Sequence, residues 1–285
     1  MLFKHILVLI IMHYSKIGVK SYGLTNQIFA LITSIIVAYR KKENIIVVDN
    51  FSNDYSKESY TPISEVLDLE QINIFLKEKY NMTLLDKESS DEYKNKKYVE
   101  EFGWIDKYDT SMFEDIIVNI KYNTSYIEKS KIILSRKGFS SSKINIIHLR
   151  VEDDAIKHWS KMNKLPEIVF KDYIENKYIT LIDKYICKED TTIILSSSLK
   201  NKVIDFLSAN SYNYMFNEKY FEEREKNAIV DLLTSQACNN IFIGNYNPVL
   251  SRGSTFSYYI SKMIKATNIF IDLDSIYDDE YIMRN

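Results

Sequence analysis

Short apolar runs alternate with amphipathic stretches along most of the chain. The runs Ile6–Met12, Ile45–Val48, Thr83–Leu85, Ile144–Leu149, Thr192–Leu195, Ile241–Ile243 and Ile269–Ile271 are brief and rich in β-branched residues, which predicts buried strands. Between them, Asn26–Arg40 carries Ile28, Phe29, Leu31, Ile32, Ile35, Ile36 and Tyr39 at the spacing of a broad apolar helix face. Helices are predicted likewise over Leu67–Tyr80, Tyr126–Arg136, Phe170–Tyr185, Leu199–Asn210, Glu222–Cys238 and Phe256–Ile264. Residues 86–98 are almost all polar and predict a solvated loop or a mobile flap. Strands alternating with helices imply an α/β protein whose mostly parallel sheets are joined by right-handed crossovers. The Ser-rich turn Ser140-Ser141-Ser142 separates two such blocks. The expected architecture is therefore two Rossmann-like domains, 1–140 and 141–285, facing a cleft.

Composition narrows the partners. The chain has 285 residues, 46% of them hydrophobic, enough for a sizeable core, and a formal charge of -2. That charge provides no general attraction for nucleic acid or an anionic membrane, so neither is an expected partner, and an anionic ligand needs a local site. Cys187 and Cys238, both assigned to helices, match no metal or redox spacing and are expected to be free thiols. Ile6–Met12 is too short to span a bilayer, and Tyr14-Ser15-Lys16-Ile17 behind it offers no small-residue cleavage site. Stable membrane insertion is not expected. A cytoplasmic location is, with a signal peptide over residues 1–13 as the alternative.

Three constellations carry candidate chemistry. Ile144–Ile147 runs directly into His148-Leu149-Arg150 and then Glu152-Asp153-Asp154, a strand delivering polar groups at its carboxyl end, where open α/β sheets bind ligands. Arg150 offers a planar fork suited to a diphosphate, or else pairs with Glu152 or Asp154. Strand alternation puts His148 on the same face as Arg150, in an orienting role. Ser254-Thr255-Phe256-Ser257 opens a helix after a loop bounded by Gly244 and Gly253, so hydroxyls and amides there favour a phosphate or cap the helix. Gly23-Leu24-Thr25-Asn26-Gln27 lies between the first strand and first helix, with Thr25 or Asn26 placed to cap it. Ser196-Ser197-Ser198 adds a polar rim and is expected to cap the helix that follows it.

Together, Gly23-Leu-Thr-Asn26-Gln27, His148-Leu-Arg150 with Asp154, and Phe242-Ile-Gly-Asn245 followed by Ser254-Thr-Phe-Ser257 resemble the fucosyltransferase superfamily. The His-Leu-Arg with its following acid is most similar to the protein O-fucosyltransferase branch, and the α1,2/α1,6-fucosyltransferases share the opening motif. The resemblance implies a GT-B fold, with 1–140 as the acceptor-side domain and 141–285 as the GDP-fucose-binding domain. It implies inverting transfer of fucose to a hydroxyl of a protein or glycan, GDP-fucose as co-substrate, no cofactor and no metal. It makes His148, Arg150, Asp154, Ser254, Thr255 and Phe256 donor-binding, and puts Gly23, Asn26 and Gln27 on the acceptor or fucose side. Arg150 would neutralise the leaving diphosphate, and Glu152 and Asp154 are candidates for the catalytic base.

The chain departs from the family pattern in three places, the first being that the opening motif Gly23–Gln27 lacks the larger Gly and Arg content of many relatives. Asn239-Asn240 stand where relatives often carry Ala-Asp, and the loop Tyr246–Gly253 is longer than usual. A competing motif, Asp272-Leu-Asp274 after Ile269–Ile271, would hold a divalent metal in a metal-dependent glycosyltransferase, or simply ends a strand in surface aspartates. A nonenzymatic nucleotide- or glycan-binding relative is the third alternative.

Overall fold

The pairing of these short runs builds two separate parallel sheets. The structure, a computed structural model, describes residues 11–19, 21–54, 57–103, 110–135, 143–275 and 281–284. The chain divides into two units, Met1–Thr124 with Glu223–Glu225, and Ser125–Glu222 with Lys226–Asn285. That division falls ahead of the expected one at 140, and Ser140–Ser142 lie outside the described residues.

The first unit runs β1 (Met12–Lys16), α1 (Leu24–Lys41), β2 (Ile45–Val48), the hairpin β3 (Phe51–Ser52) and β4 (Tyr60–Thr61), and α2 (Ile63–Val66). It continues through α3 (Leu69–Tyr80), β5 (Thr83–Asp86), α4 (Asp91–Lys94), β6 (Val99–Glu100) and α5 (Thr110–Asn119). Its sheet has the order β5-β2-β1-β6, every pair parallel. α1 is buried along nearly its whole length, which explains why its apolar face was so broad. Residues 6–10 of the first expected strand lie outside the described residues, and the strand observed begins at Met12. Its inward residues, His13 and Ser15, are polar. His13 sits 2.8 Å from Glu43 and 2.9 Å from Glu101, and Ser15 bonds Ser34 at 2.6 Å, so the buried polar groups of this strand are paired.

The polar stretch 86–98 is not an irregular flap. Asp86 accepts the Glu88 amide at 2.8 Å to start a 3-10 turn, Ser90 caps α4, and the Tyr98 ring packs 5.6 Å from Tyr14. Local caps order this segment without an apolar face.

The second unit runs α6 (Thr124–Leu134), β7 (Ile144–His148), α7 (Asp153–Met162), α8 (Glu167–Tyr185), β8 (Thr191–Leu195), α9 (Lys202–Ala209) and β9 (Tyr214–Phe216). There follow α10 (Arg224–Ser235), β10 (Ile241–Gly244), β11 (Tyr246–Asn247), β12 (Arg252–Gly253), α11 (Thr255–Met263), β13 (Thr267–Phe270) and β14 (Tyr281–Arg284). The six-stranded sheet has the order β14-β13-β10-β7-β8-β9, parallel except for the β13–β14 edge. Ile147, Leu149, Ile194, Ile243 and Ile269 pack into one core with Trp159, Phe170, Ile174 and Tyr178. The central position of β7 brings its carboxyl end, and those of its neighbours β8 and β10, to one edge of the sheet.

Asn239 and Asn240, the departures from the family pattern, work at the opposite edge. Asn239 Oδ1 accepts the Ile144 amide at 2.8 Å, and Asn240 Nδ2 donates to Asn145 Oδ1 at 2.8 Å. They pin β7 to β10 where both strands begin. Both cysteines lie just past the helices assigned to them and are free thiols, Cys187 exposed and Cys238 buried. Among the described residues, no helix is long and apolar enough to cross a membrane.

Candidate functional site

At the carboxyl edge of the second sheet, β7, β10 and the start of α11 are locked together. His148, the last residue of β7, is buried, and its Nδ1 lies 2.7 Å from the Ser257 hydroxyl. Burial first, and the Arg150 charge second, hold its imidazole well below its ordinary pKa. Both effects favour the neutral imidazole. The Phe256 ring stands 5.0 Å from it. The same Ser257 hydroxyl accepts the Asn245 amide at 2.8 Å, and Asn245 O accepts the Ser254 amide at 2.7 Å. Gly244 is required here, because an added Cβ would lie 2.7 Å from the Phe242 ring and 3.0 Å from Ser257 Oγ.

Tyr178 of α8 ties the remaining backbone. Its hydroxyl accepts the Arg150 amide at 3.1 Å and lies 2.8 Å from His148 O and 2.6 Å from Asn245 Oδ1. Asn245 Nδ2 also donates to His148 O at 2.8 Å. The two strand ends thus share one satisfied polar network, which costs less to bury than scattered polar groups and fixes the chain beside Arg150.

Arg150 itself is 20% exposed. Its guanidinium stands over the Trp159 ring at 5.6 Å, with Glu152 at 3.6 Å and Asp154 at 3.9 Å. Both expected partners of the salt bridge are present. Asp154 is 51% exposed, so its pair contributes little through solvent. The acidic cluster proves to be a helix start: Glu152 is the N-cap residue of α7, and Asp153 and Asp154 fill its first turn, where the helix dipole favours negative charge.

Ser196 and Ser197 do not cap α9. Asn201 does, accepting the Ile204 amide at 3.1 Å. The two serines instead surround Glu152 Oε1, with Ser196 Oγ at 3.4 Å, Ser197 N at 3.3 Å and Ser197 Oγ at 3.2 Å.

α11 begins as expected. Ser254 is its N-cap residue and accepts the Ser257 amide, Thr255 and Phe256 form the first turn with Ser257, and no acidic residue occupies that turn. The long loop before it is the hairpin β11–β12, closed by Gly253 at φ 111°, where a Cβ would also meet Asn245 O at 2.9 Å. Asp272 is buried rather than a surface residue. It accepts Arg252 Nη2 at 2.7 Å and Asn247 Nδ2 at 2.6 Å, anchoring this hairpin. Asp274 lies 3.7 Å from Arg252 Nε, and burial, then Asp272, raise its pKa while Arg252 opposes them.

The candidates in the first unit are arranged differently. Gly23 is the N-cap residue of α1 and makes no side-chain cap bond; Thr25 and Asn26 lie inside the first turn instead of capping it. The cap is the Glu225 carboxylate, which accepts the Leu24 amide at 2.5 Å. Gln27 is buried, and its amide is spent on the backbone: Oε1 accepts Ser52 N at 2.8 Å, and Nε2 donates to Ser52 O at 2.9 Å. Gln27 therefore secures the β3 loop.

No protein-family profile matches the chain, and no curated protein matches it by sequence. Solved structures do match it. The fucosyltransferase NodZ from Bradyrhizobium superposes with a TM-score of 0.60 at 13% identity, covering 96% of this chain and 99% of that one. NodZ α-1,6-fucosyltransferase soaked with GDP-fucose gives a TM-score of 0.59 at 13% identity over the same shares. POFUT1 in complex with GDP-fucose gives 0.54 at 9% identity, covering 89% of this chain and 94% of that one. The chain shares the fold of these solved structures. On this fold, Tyr178, Asn245 and Ser257 complete the network that holds His148 and the Arg150 backbone. Of these, Asn245 and Ser257 were visible in the motifs, whereas Tyr178 was hidden in an ordinary amphipathic helix. Glu225 had no motif to mark it.

Proposed function

We propose that the chain moves fucose from GDP-fucose to a hydroxyl of a protein or glycan acceptor, as an inverting glycosyltransferase that requires neither metal nor cofactor. The observation that carries this reading is Arg150, fixed by Tyr178 and Trp159 at the sheet edge that also holds the acid-free start of α11. In the reaction, the bond between the anomeric carbon and the β-phosphate oxygen breaks, and the acceptor oxygen bonds that carbon from the opposite face. The acceptor proton leaves to a base or to solvent, and negative charge grows on the departing diphosphate. A fixed guanidinium and a helix N-terminus stabilise that charge. The NodZ and POFUT1 structures named above, whose names carry GDP-fucose, support the choice of donor.

The metal-dependent alternative is disfavoured by the commitments of its own residues. Asp272 already accepts a guanidinium and an amide, so a cation there would have to displace Arg252.

A thermal-shift panel of GDP-, UDP- and CMP-sugars, with and without a divalent metal, tests the donor. GDP species alone should stabilise the protein, and EDTA should leave that unchanged. Arg150→Ala should weaken calorimetric GDP affinity by about a hundredfold, the loss of a charge-assisted bidentate contact. Unchanged affinity in that variant would overturn the assignment. GDP binding without turnover on any acceptor would identify a binding protein instead.

A further inference from the structure

Arg150 has two carboxylate neighbours, and they are built differently. Asp154 is half exposed on the first turn of α7, whereas Glu152 is 12% exposed and tied down. Its Oε1 faces three donors from the loop after β8, Ser196 Oγ, Ser197 N and Ser197 Oγ. Its Oε2 is buried without a hydrogen-bond partner and lies 3.6 Å from Arg150 Nη1. One oxygen is saturated and the other is left for the guanidinium. A general base needs an oxygen open to the proton it takes, and neither oxygen of Glu152 is open.

We propose that Glu152 is a positioning residue: anchored by Ser196 and Ser197, it couples the loop after β8 to Arg150 and sets the direction of the guanidinium fork. Its separation from Nη1, inside ion-pair range but beyond a good hydrogen bond, leaves the Arg150 donors available to an anion. Trp159 holds the guanidinium carbon 5.6 Å from its ring centroid, and the carboxylate adds the directional constraint that an aromatic ring does not supply. For its kinetic arm alone, this inference rests on the donor reading above.

Glu152→Gln keeps an acceptor for the serines and removes the charge. In nitrogen-15 spectra of the arginine side chains, Arg150 Nε should be ordered in the wild type and mobile in Glu152→Gln. Ser197→Ala, which leaves Arg150 itself untouched, should loosen it in the same direction by less. Acceptor-independent release of GDP from GDP-fucose should fall on the order of tenfold in Glu152→Gln, with GDP affinity unchanged or tighter and the shape of the pH profile retained. An Arg150 as ordered in both variants as in the wild type overturns the proposal. So does loss of the acidic limb of the pH profile in Glu152→Gln, which would make Glu152 the base. A wild type that fails to bind GDP would sink the donor reading, while the arginine spectra would still decide the clamp.

Discussion

Two helix starts, that of α1 and that of α11, were singled out by the same logic and turn out to be opposites. α1 follows β1 of a parallel sheet and α11 follows the antiparallel hairpin β11–β12, and each offers amides that an anion could use. At α1 the protein supplies the anion: the buried Glu225 carboxylate accepts the Leu24 amide at 2.5 Å. At α11 the cap is the neutral Ser254, no acid stands in the first turn, and the neighbouring β7 ends at His148, two residues before Arg150. The lesson is that a helix N-terminus is informative only once its occupant is known. Filled by a carboxylate, it stabilises the fold; capped by a neutral serine, it is suited to a phosphate ligand.

Giving α11 the occupant of α1 is the strongest way to break this contrast. Ser254→Asp retains a good N-cap, so stability should change by no more than about 0.5 kcal/mol. GDP affinity by calorimetry should nonetheless fall about a hundredfold, because the diphosphate meets a carboxylate at the helix start. Affinity equal to the wild type would remove α11 from the donor site. A smaller effect separates the two glycines. An alanine Cβ at Gly244 would lie 2.7 Å from the Phe242 ring and 3.0 Å from Ser257 Oγ, whereas at Gly23 it meets only Glu225 Oε2 at 3.6 Å and Oε1 at 3.9 Å. Gly244→Ala should cost about 2 kcal/mol in denaturant unfolding, with weaker GDP binding, and Gly23→Ala should leave GDP binding unchanged. Equal stability losses in the two variants would show that the crowding at Gly244 is relieved by easy movement.

What could be seen in the sequence follows the range of the interactions. α1 and α8 were legible from the helical spacing of their apolar residues, and β2 and the core strands of the second sheet from short continuous apolar runs. α7 was not, because its start is written in charges: Glu152-Asp153-Asp154 looked like loose acids when they form the cap and first turn of a helix. The observed β1 was not legible for a related reason, since its inward groups His13 and Ser15 are polar and satisfied by distant partners. The site shows the same division. Arg150 and Ser254 could be proposed from local context. The links that fix the site join residues 109 apart for His148 and Ser257 and 30 apart for Tyr178 and His148. The cap of α1 joins residues 201 apart, and no local pattern could have disclosed it.

That distant cap gives the finest test of the comparison. Glu225 Oε1 is buried without a hydrogen-bond partner, and the Arg224 guanidinium stands 4.0 Å from it. Desolvation raises the carboxyl pKa above its ordinary 4.5, outweighing the Arg224 charge and the Leu24 amide, which lower it. The folded protein therefore holds this proton more tightly than the unfolded chain does. The stability contributed by that difference is complete below the ordinary value and is lost as pH rises through the higher folded one. Glu225→Gln has no charge to bury and still accepts the Leu24 amide through its oxygen. The difference in thermal stability, variant minus wild type, should consequently grow more positive as pH rises from the ordinary 4.5 through the higher folded value. GDP affinity should not change at any pH in that range. A flat difference would mean that the carboxylate is solvated well enough to ionise freely, and a drop in GDP affinity would mean that the start of α1 serves the ligand after all.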